Sequence, residues 1–206
     1  KGGLGDDLYT VTGNDTVVEN FKGGHDTVQS SVTYTLTNAV EDLVLTGANN
    51  INGTGNDSDN TIVGNSGNNT LSGGSGNDIM IGGAGADTMK GDTGNDQFLH
   101  VDKADLTSGG VAGGDGDDLV DLSGLTTFKS ADGDHSKISN VEILSFTGGS
   151  AAGTQVALDY NSVLTMTDAN NNLVIHGDQG KDTVALSGGF TKIGTDVTAN
   201  DGLHYD

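Results

Sequence analysis

The sequence predicts an all-β fold: a parallel β-roll, or β-solenoid, of nonapeptide repeats, followed by a more irregular, β-rich C-terminal part. One nine-residue phrase repeats without a gap from Gly73 to Leu99, as GGSGNDIMI, GGAGADTMK and GDTGNDQFL. Each copy has Gly at positions 1 and 4, Asp at position 6 and a large apolar residue at position 8. Because the 206 residues include 35 Gly and only 33% hydrophobic residues, we expect a thin, repetitive core.

The repeat extends backwards from Gly73 by two further units. These are GNDSDNTIV (55–63) and GNSGNNTLS (64–72), in which Asn60 and Asn69 stand at the Asp position. Each unit is expected to form half of a coil, with one short strand whose position-8 side chain points inward. The predicted inward residues of the five units are Ile62, Leu71, Met80, Met89 and Phe98.

The apolar spacing continues towards the N-terminus although the glycines become fewer. The segment GGLGDDLYT (2–10) is a full unit, and the spacing of nine residues, give or take one, predicts a roll over 1–100 that is regular over 55–99. Because Lys1 runs straight into a repeat, we expect the sequence to be a fragment of a longer protein. The predicted inward residues of this part are Tyr9, Val18, Val28, Leu36 and Leu45.

The repeat pattern weakens after Leu99. Residues 101–112 are predicted to form a connecting turn, and residues 113–206 an irregular continuation of the solenoid or a small β cap. We favour continuation, because the phrase returns as GGDGDDLVD (113–121) and GDQGKDTVA (177–185). The strand-like runs between these units are 141–146, 156–158, 163–166 and 173–175.

The charge of the chain excludes several classes of partner. Asp and Glu number 29 against eight Lys and Arg, which gives a formal net charge of -21. This charge opposes compaction unless cations bind, and it makes nucleic acid an improbable partner. No apolar run approaches the roughly 20 residues that a membrane span needs.

The glycine turns predict calcium sites. A Gly-Gly-x-Gly-x-Asp turn can direct several carbonyl oxygens and one carboxylate inward, which is about half of the 6 to 8 oxygens that Ca²⁺ takes. Turns 18 residues apart lie on the same edge of a two-sheet roll, so Asp78 and Asp96 form the strongest predicted site. Two carboxylates about 5 Å apart repel by roughly 3 kcal/mol at an effective dielectric constant near 20, so we expect folding to require calcium.

Further pairs of the same kind predict further calcium sites. Binding is expected to be weaker where Asn replaces one Asp, as in the pairs Asn60–Asp78 and Asn69–Asp87. The remaining predicted pairs are Asp87–Asp105, Asp96–Asp118 and Asp7–Asp26, and Asp182 is a candidate ligand without an obvious partner.

These units resemble the repeats-in-toxin (RTX) calcium-binding family. The resemblance implies a parallel β-roll that binds several Ca²⁺ ions, export by a type I secretion system, and a location outside the cell or on the bacterial surface. It also implies that the ligands are the position-6 Asp and the carbonyls of the turn. The residues so implied are Gly73, Gly74, Ser75, Gly76, Asp78, Gly82, Gly83, Ala84, Gly85, Asp87, Gly91, Asp92, Thr93, Gly94, Asp96, Gly113, Gly114, Gly116 and Asp118.

The sequence predicts a structural module and no enzyme. We find no nucleophile motif, phosphate-binding loop or dinucleotide fingerprint, because the glycine runs carry Asp or Asn where those motifs need other residues. The expected role is a calcium-binding part of a large secreted adhesin or surface-layer protein, with surface glycans or neighbouring domains of the same protein as partners. The alternatives are the C-terminal RTX region of a secreted hydrolase or alginate-modifying enzyme, and a glycan- or peptide-binding adhesin region in 122–206.

Overall fold

The chain forms short strands that stack coil upon coil, and every described strand pair is parallel. The structure is a computed structural model and describes residues 2–19, 23–147, 155–159, 166, 173–176 and 183–187. The predicted parallel β-roll is confirmed. No helix of the described residues is long and apolar enough to cross a membrane.

The larger sheet of the roll has nine strands among the described residues, and we number strands along the chain. In the regular part each strand lies one coil, or 18 residues, from the strand after next, so its neighbours in the sheet come from adjacent coils. In order across the sheet these are β1 Leu8–Val11, β2 Thr27–Ser30, β4 Asp42–Leu45, β6 Thr61–Val63, β8 Ile79–Ile81, β10 Gln97–Leu99, β12 Leu119–Asp121, β15 Ile143–Ser145 and β17 Val174–His176.

The second sheet of the roll has six strands, which alternate along the chain with those of the first sheet. Three of these strands are six residues long, because they continue into the glycine turns that follow them. In order across the sheet they are β14 Ile138–Ser139, β11 Gly110–Asp115, β9 Thr88–Thr93, β7 Thr70–Ser75, β5 Gly53–Thr54 and β3 Tyr34–Thr35.

The strand register confirms that nine residues make half a coil. In the nine-stranded sheet Ile62 pairs with Met80 and Met80 with Phe98, whereas in the six-stranded sheet Leu71 pairs with Met89. All five side chains are fully buried, as the sequence predicts. The core is therefore a double column of apolar side chains, one from each sheet, which run along the axis of the roll.

The N-terminal coils keep this column, with one correction to the prediction. Val28, Leu36 and Leu45 are buried as expected, and Tyr9 packs partly buried against the core. Val18 was predicted to point inward, but it is 51% exposed and its neighbour Val17 is buried instead. The two adjacent valines are equally apolar, so the spacing alone could not choose between them.

A short helix interrupts the roll after β10. Helix α1, Lys103–Ser108, lies inside the segment predicted as a connecting turn and begins at Asp102, whose Oδ1 accepts hydrogen bonds from Ala104 N and Asp105 N. Met89 pairs with Val111 across this insertion, a step of 22 residues where the regular coil takes 18. The four extra residues are accommodated by α1, so the strands on either side keep their register.

The C-terminal part continues one sheet and adds another. Strands β15 and β17 extend the nine-stranded sheet, with Val120 paired to Leu144 and Leu144 to Ile175. A separate three-stranded sheet contains β13 Thr127–Lys129, β16 Gln155–Asp159 and β18 Thr183–Ser187, and two short 3-10 helices occupy Ser130–Asp132 and Asp134–Lys137. Of the predicted run 163–166 only Met166 is described, and the predicted ligand Asp182 lies outside the described residues.

Candidate metal centre

Acidic and amide side chains form a line along one edge of the roll, which we call the first ladder. Each member lies two residues before the central residue of a strand in the nine-stranded sheet. In six of the eight members the backbone N–H donates to the carboxylate of the member in the next coil, for example Asp78 N to Asp96 Oδ1 at 2.8 Å. The backbone N–H groups of Glu41 and Glu142 donate instead to the carbonyl oxygens of Asp26 and Asp118. The members are Asp7, Asp26, Glu41, Asn60, Asp78, Asp96, Asp118 and Glu142.

A second, shorter line lies on the opposite edge, and we call it the second ladder. It consists of Asn69, Asp87 and Asp105, in which Asn69 N donates to Asp87 Oδ1 at 2.7 Å and Asp87 N to Asp105 Oδ1 at 2.8 Å. Asp105 reaches this position from the first turn of α1, where its Oδ2 also accepts a hydrogen bond from Asp102 N at 3.0 Å. The two ladders together bring all six predicted pairs into contact.

Five aspartates of the ladders are buried with one carboxylate oxygen left unpaired. Each of these five side chains is fully inaccessible to solvent, and in each the Oδ2 atom has no hydrogen-bond partner in the described structure. Burying a charged oxygen without a partner is costly, and proteins compensate such groups by pairing them or by binding a metal. The Asp residues that share this property are Asp26, Asp78, Asp87, Asp96 and Asp118.

The first glycine of each turn leaves the space that these oxygens surround. A Cβ on Gly91 would overlap Asp96 Oδ2 and lie 2.6 Å from the carbonyl oxygen of Gly113, one coil further on. A Cβ on Gly73 would in the same way overlap Asp78 Oδ2 and lie 2.9 Å from Gly91 O. Carboxylate and carbonyl oxygens are the ligands that calcium prefers, so these residues fit a calcium ion.

Comparison with known proteins agrees with this chemistry. A family model described as the RTX calcium-binding nonapeptide repeat (4 copies) matches residues 54–89 and again residues 64–98. Residues 54–98 therefore match the RTX calcium-binding nonapeptide repeat. The matched residues include the glycine turns of both ladders from Asn60 to Asp96. No curated protein matches the chain.

The backbone of the RTX turns explains their glycines. Gly74 and Gly76 adopt φ angles of 114° and 105°, a region that residues with a Cβ rarely enter. Asp92 replaces the second glycine of its turn and still adopts φ 74°. Thr93 lies within strand β9, and its carbonyl accepts a hydrogen bond from Gly76 N at 3.0 Å. A carbonyl oxygen has a second lone pair, so this bond leaves Thr93 able to bind an ion.

Burial changes the acidity of the carboxylates in the two ladders. It raises the pKa of Asp78 to about 7, and the charge of Asp96 adds to this effect, whereas the hydrogen bond from Asn60 N opposes it. Burial likewise raises the pKa of Asp118 to about 7 and that of Asp87 to about 6. The metal-free fold therefore holds its carboxylates in an environment that disfavours their charged form.

We expect the stability of the metal-free chain to fall as pH rises from 5 to 7.5. The pKa of each carboxyl is higher in the folded than in the unfolded chain, so the folded state binds more protons in this window and loses stability as they dissociate. Calcium affinity should change in the opposite direction and rise with pH, since protons compete for the same oxygens. Urea unfolding in calcium-free buffer and calcium calorimetry, each at pH 5 and pH 7.5, measure the two trends. Parallel trends would contradict the assignment of these carboxylates as ligands.

The asparagines of the ladders make hydrogen bonds that an aspartate cannot. Asn69 Nδ2 donates to Ile51 O at 2.6 Å and to Asn65 Oδ1 at 3.1 Å, while its Oδ1 accepts from Asn65 N. Asn60 Nδ2 donates in the same way to two carbonyls of the preceding coil, at 3.3 and 3.1 Å. The amide NH₂ therefore faces the carbonyl oxygens that a cation would otherwise face, and the weaker sites predicted at these positions stay predictions.

We expect Asn69→Asp to make the roll less stable by about 2 kcal/mol in chelator, because a carboxylate would face two acceptor oxygens without a donor. Calcium should reverse the loss and add one binding site. Asn68→Asp is the matched control, since Asn68 is exposed. Its side-chain Oδ1 accepts a hydrogen bond from Ala86 N, and an aspartate oxygen can accept the same bond. Urea unfolding with and without calcium measures both variants, and equal behaviour of the two would contradict the prediction.

Sequence reasoning missed two members of the first ladder, Glu41 and Glu142. Glu41 Oε2 accepts a hydrogen bond from Asp26 N at 2.8 Å, and Glu142 Oε2 accepts one from Asp118 N at 3.0 Å. A signal was present, because each Glu lies two residues before a buried leucine, the same offset as Asp78 from Met80. The signal was obscured because their turns contain no glycine.

Proposed function

We propose that the chain is a structural module that folds when calcium binds between its coils. The single observation that carries this proposal is the set of buried Asp Oδ2 atoms without hydrogen-bond partners. Those of Asp78, Asp87, Asp96 and Asp118 each lie beside a glycine whose Cβ would overlap the oxygen. The pairs Asp78–Asp96 and Asp96–Asp118 are the best candidates, because each offers two carboxylates of the same ladder in adjacent coils.

The chain's own residues supply the selectivity of these sites. Every candidate ligand in the RTX turns is a carboxylate or carbonyl oxygen, which favours hard cations over metals that prefer nitrogen or sulfur. The backbone N–H bonds to Oδ1 hold each carboxylate in place, so that its Oδ2 is oriented before an ion arrives. A bound ion supplies the positive charge that offsets the repulsion within the ladder.

Circular dichroism tests whether folding depends on calcium. At a calcium concentration ten times the dissociation constant, each site adds about 1.4 kcal/mol, so several sites together exceed the stability of a marginal metal-free chain. We expect little strand signal in chelator and a cooperative gain on adding calcium. Urea unfolding in chelator is therefore measured in a fixed concentration of a stabilising osmolyte such as sucrose, which restores a folded population for the wild type and its variants alike. The same strand content in chelator and in millimolar calcium would overturn the proposal.

We further propose that the module works outside the cell, in a secreted or surface-attached bacterial protein of adhesin or surface-layer type. The RTX repeats and the high negative charge support this, since such a chain would stay unfolded at low calcium during export by a type I system and fold afterwards. A folding midpoint of about 10⁻⁴ to 10⁻³ M calcium is expected of an extracellular module. A midpoint below about 10⁻⁶ M would contradict folding after export. Surface glycans and neighbouring domains of the same protein are the proposed partners.

A further inference from the structure

The first coil brings together three carboxylates, one of which lies outside both ladders. One oxygen each of Asp7, Glu19 and Asp26 lies within 4.8 Å of the others. Asp7 and Asp26 are neighbours in the first ladder, and Asp7 N donates to Asp26 Oδ1 at 2.8 Å. Glu19 belongs instead to the segment between β1 and β2, so the RTX spacing does not account for its position.

A second observation at this cluster also points to a ligand. Asp26 is fully buried, and its Oδ2 atom has no hydrogen-bond partner in the described structure. This atom belongs to one of the three carboxylates that meet, so a buried, unpaired oxygen belongs to a group of like charges. A bound cation would compensate this group.

Neighbouring groups hold the other two carboxylates in position. The hydroxyl of Tyr9 donates to Glu19 Oε2, and Gly3 N donates to Asp7 Oδ2 at 3.1 Å. A Cβ on Gly2 would overlap both of these carboxylate oxygens, so the backbone passes against them with no room for a side chain. The cluster is therefore oriented by its surroundings, as a binding site requires.

We propose that Glu19 completes the Asp7–Asp26 pair of the first coil as a third ligand, which makes a calcium site with three carboxylates where an RTX turn pair supplies two. This proposal rests on the proposed function, because Asp7 and Asp26 also belong to the first ladder. Three formal negative charges bind calcium more tightly than two, and the all-oxygen ligand set excludes metals that need nitrogen or sulfur. This site therefore fills before the turn sites during a calcium titration, and it fixes the segment that carries Glu19 to the roll.

Terbium luminescence tests the site directly in the whole chain. Tb³⁺ replaces calcium at oxygen sites, and tyrosine transfers excitation to it only at short range. The chain has four Tyr and no Trp, and the Tyr9 hydroxyl is hydrogen-bonded to the cluster. We expect Tyr9→Phe to remove most of the early luminescence without changing the number of bound ions, whereas the control Tyr34→Phe keeps it. Early luminescence that survives Tyr9→Phe would overturn the proposal.

Substitution of the third carboxylate gives an independent readout. Glu19→Gln keeps the acceptor for the Tyr9 hydroxyl and removes one charge, so we expect the first site to need at least about tenfold more Tb³⁺. Asp15→Asn is the matched control, because Asp15 is exposed on the same coil and outside the cluster. Circular dichroism in calcium checks that both variants fold. An unchanged midpoint for Glu19→Gln in a folded chain would overturn the proposal.

A double variant separates this proposal from the proposed function. Asp78→Asn with Asp96→Asn should remove later-filling ions and leave the luminescence that depends on Tyr9. If the double variant binds as many ions as the wild type, the turn sites are wrong, and the first-coil site is still supported by a loss of early luminescence in Glu19→Gln.

Discussion

Replacing Asp96 by Asn is expected to change stability in opposite directions with and without calcium. In chelator the variant should be more stable by about 1 kcal/mol, because Asp96 is fully buried and burial disfavours its charged form. Asn keeps an Oδ1 atom that accepts the hydrogen bond from Asp78 N, so only the charge is lost. In calcium the variant should be less stable by about 3 kcal/mol, since Asp96 belongs to two pairs and each site adds about 1.4 kcal/mol at ten times its dissociation constant.

Urea unfolding in chelator and in calcium measures both halves of this prediction. Asp59→Asn is the control, because Asp59 is exposed and its Oδ1 accepts a hydrogen bond from Asn77 N that Asn preserves. It removes the same charge from the same edge of the roll without touching a buried site. A loss of stability under both conditions for Asp96→Asn would mean that the carboxylate supports the fold without a metal, which contradicts the assigned role.

The regular part of the roll could be predicted from the sequence because two signals coincide in it. The glycines mark the turns, and an apolar residue follows each Asp by two positions, so Asp78 with Met80 and Asp96 with Phe98 fix both the strand and the ligand. The register follows, since a spacing of 18 residues places these pairs on the same edge. Each coil of this stretch contacts only the coils next to it, so no contact between distant parts of the sequence is needed.

Other parts of the fold could not be predicted, because they carry only one of the two signals or because a residue other than glycine adopts a positive φ angle in the turn. Ala39 and Asn140 adopt φ angles of 63° and 48° at position 4 of the repeat, where the regular units have glycine, so the turns that carry Glu41 and Glu142 form without the residue that marks them. Helix α1 depends on a capping box at Asp102 and Asp105, which is a short-range signal hidden within a chain rich in Asp.

The position of Glu19 illustrates a different limit. No periodicity relates Glu19 to Asp7 and Asp26, and the three meet because the path of the chain between β1 and β2 brings Glu19 beside the two ladder residues. The apolar neighbours Val17 and Val18 indicate a strand-like passage, but they do not show which of them is buried, and therefore not which side chains face the ladder. A site such as this one, whose third residue lies outside the repeat, can be found only from the three-dimensional structure. Sites whose residues recur at a fixed spacing can be found from the sequence.

Replacing Gly91 by Ala is expected to destabilise the calcium-loaded roll by about 3 kcal/mol and to remove bound calcium. The new Cβ would overlap Asp96 Oδ2 and lie 2.6 Å from Gly113 O, and neither atom can move away freely. Gly113 O belongs to the backbone, and Asp96 Oδ1 is held by the hydrogen bond from Asp78 N. The φ angle of Gly91 is not positive, so the whole effect would come from the occupied space and none from a forbidden backbone conformation.

Gly124→Ala is the matched control for this substitution. A Cβ on Gly124 would meet no atom within 4 Å, and its φ angle is also not positive, so the change should be neutral or slightly stabilising. Calorimetry gives the number of bound ions, and urea unfolding in calcium gives the stability. If Gly91→Ala keeps the wild-type number of ions, the space in front of Asp96 Oδ2 is not where calcium binds, because a methyl group and an ion cannot both occupy it.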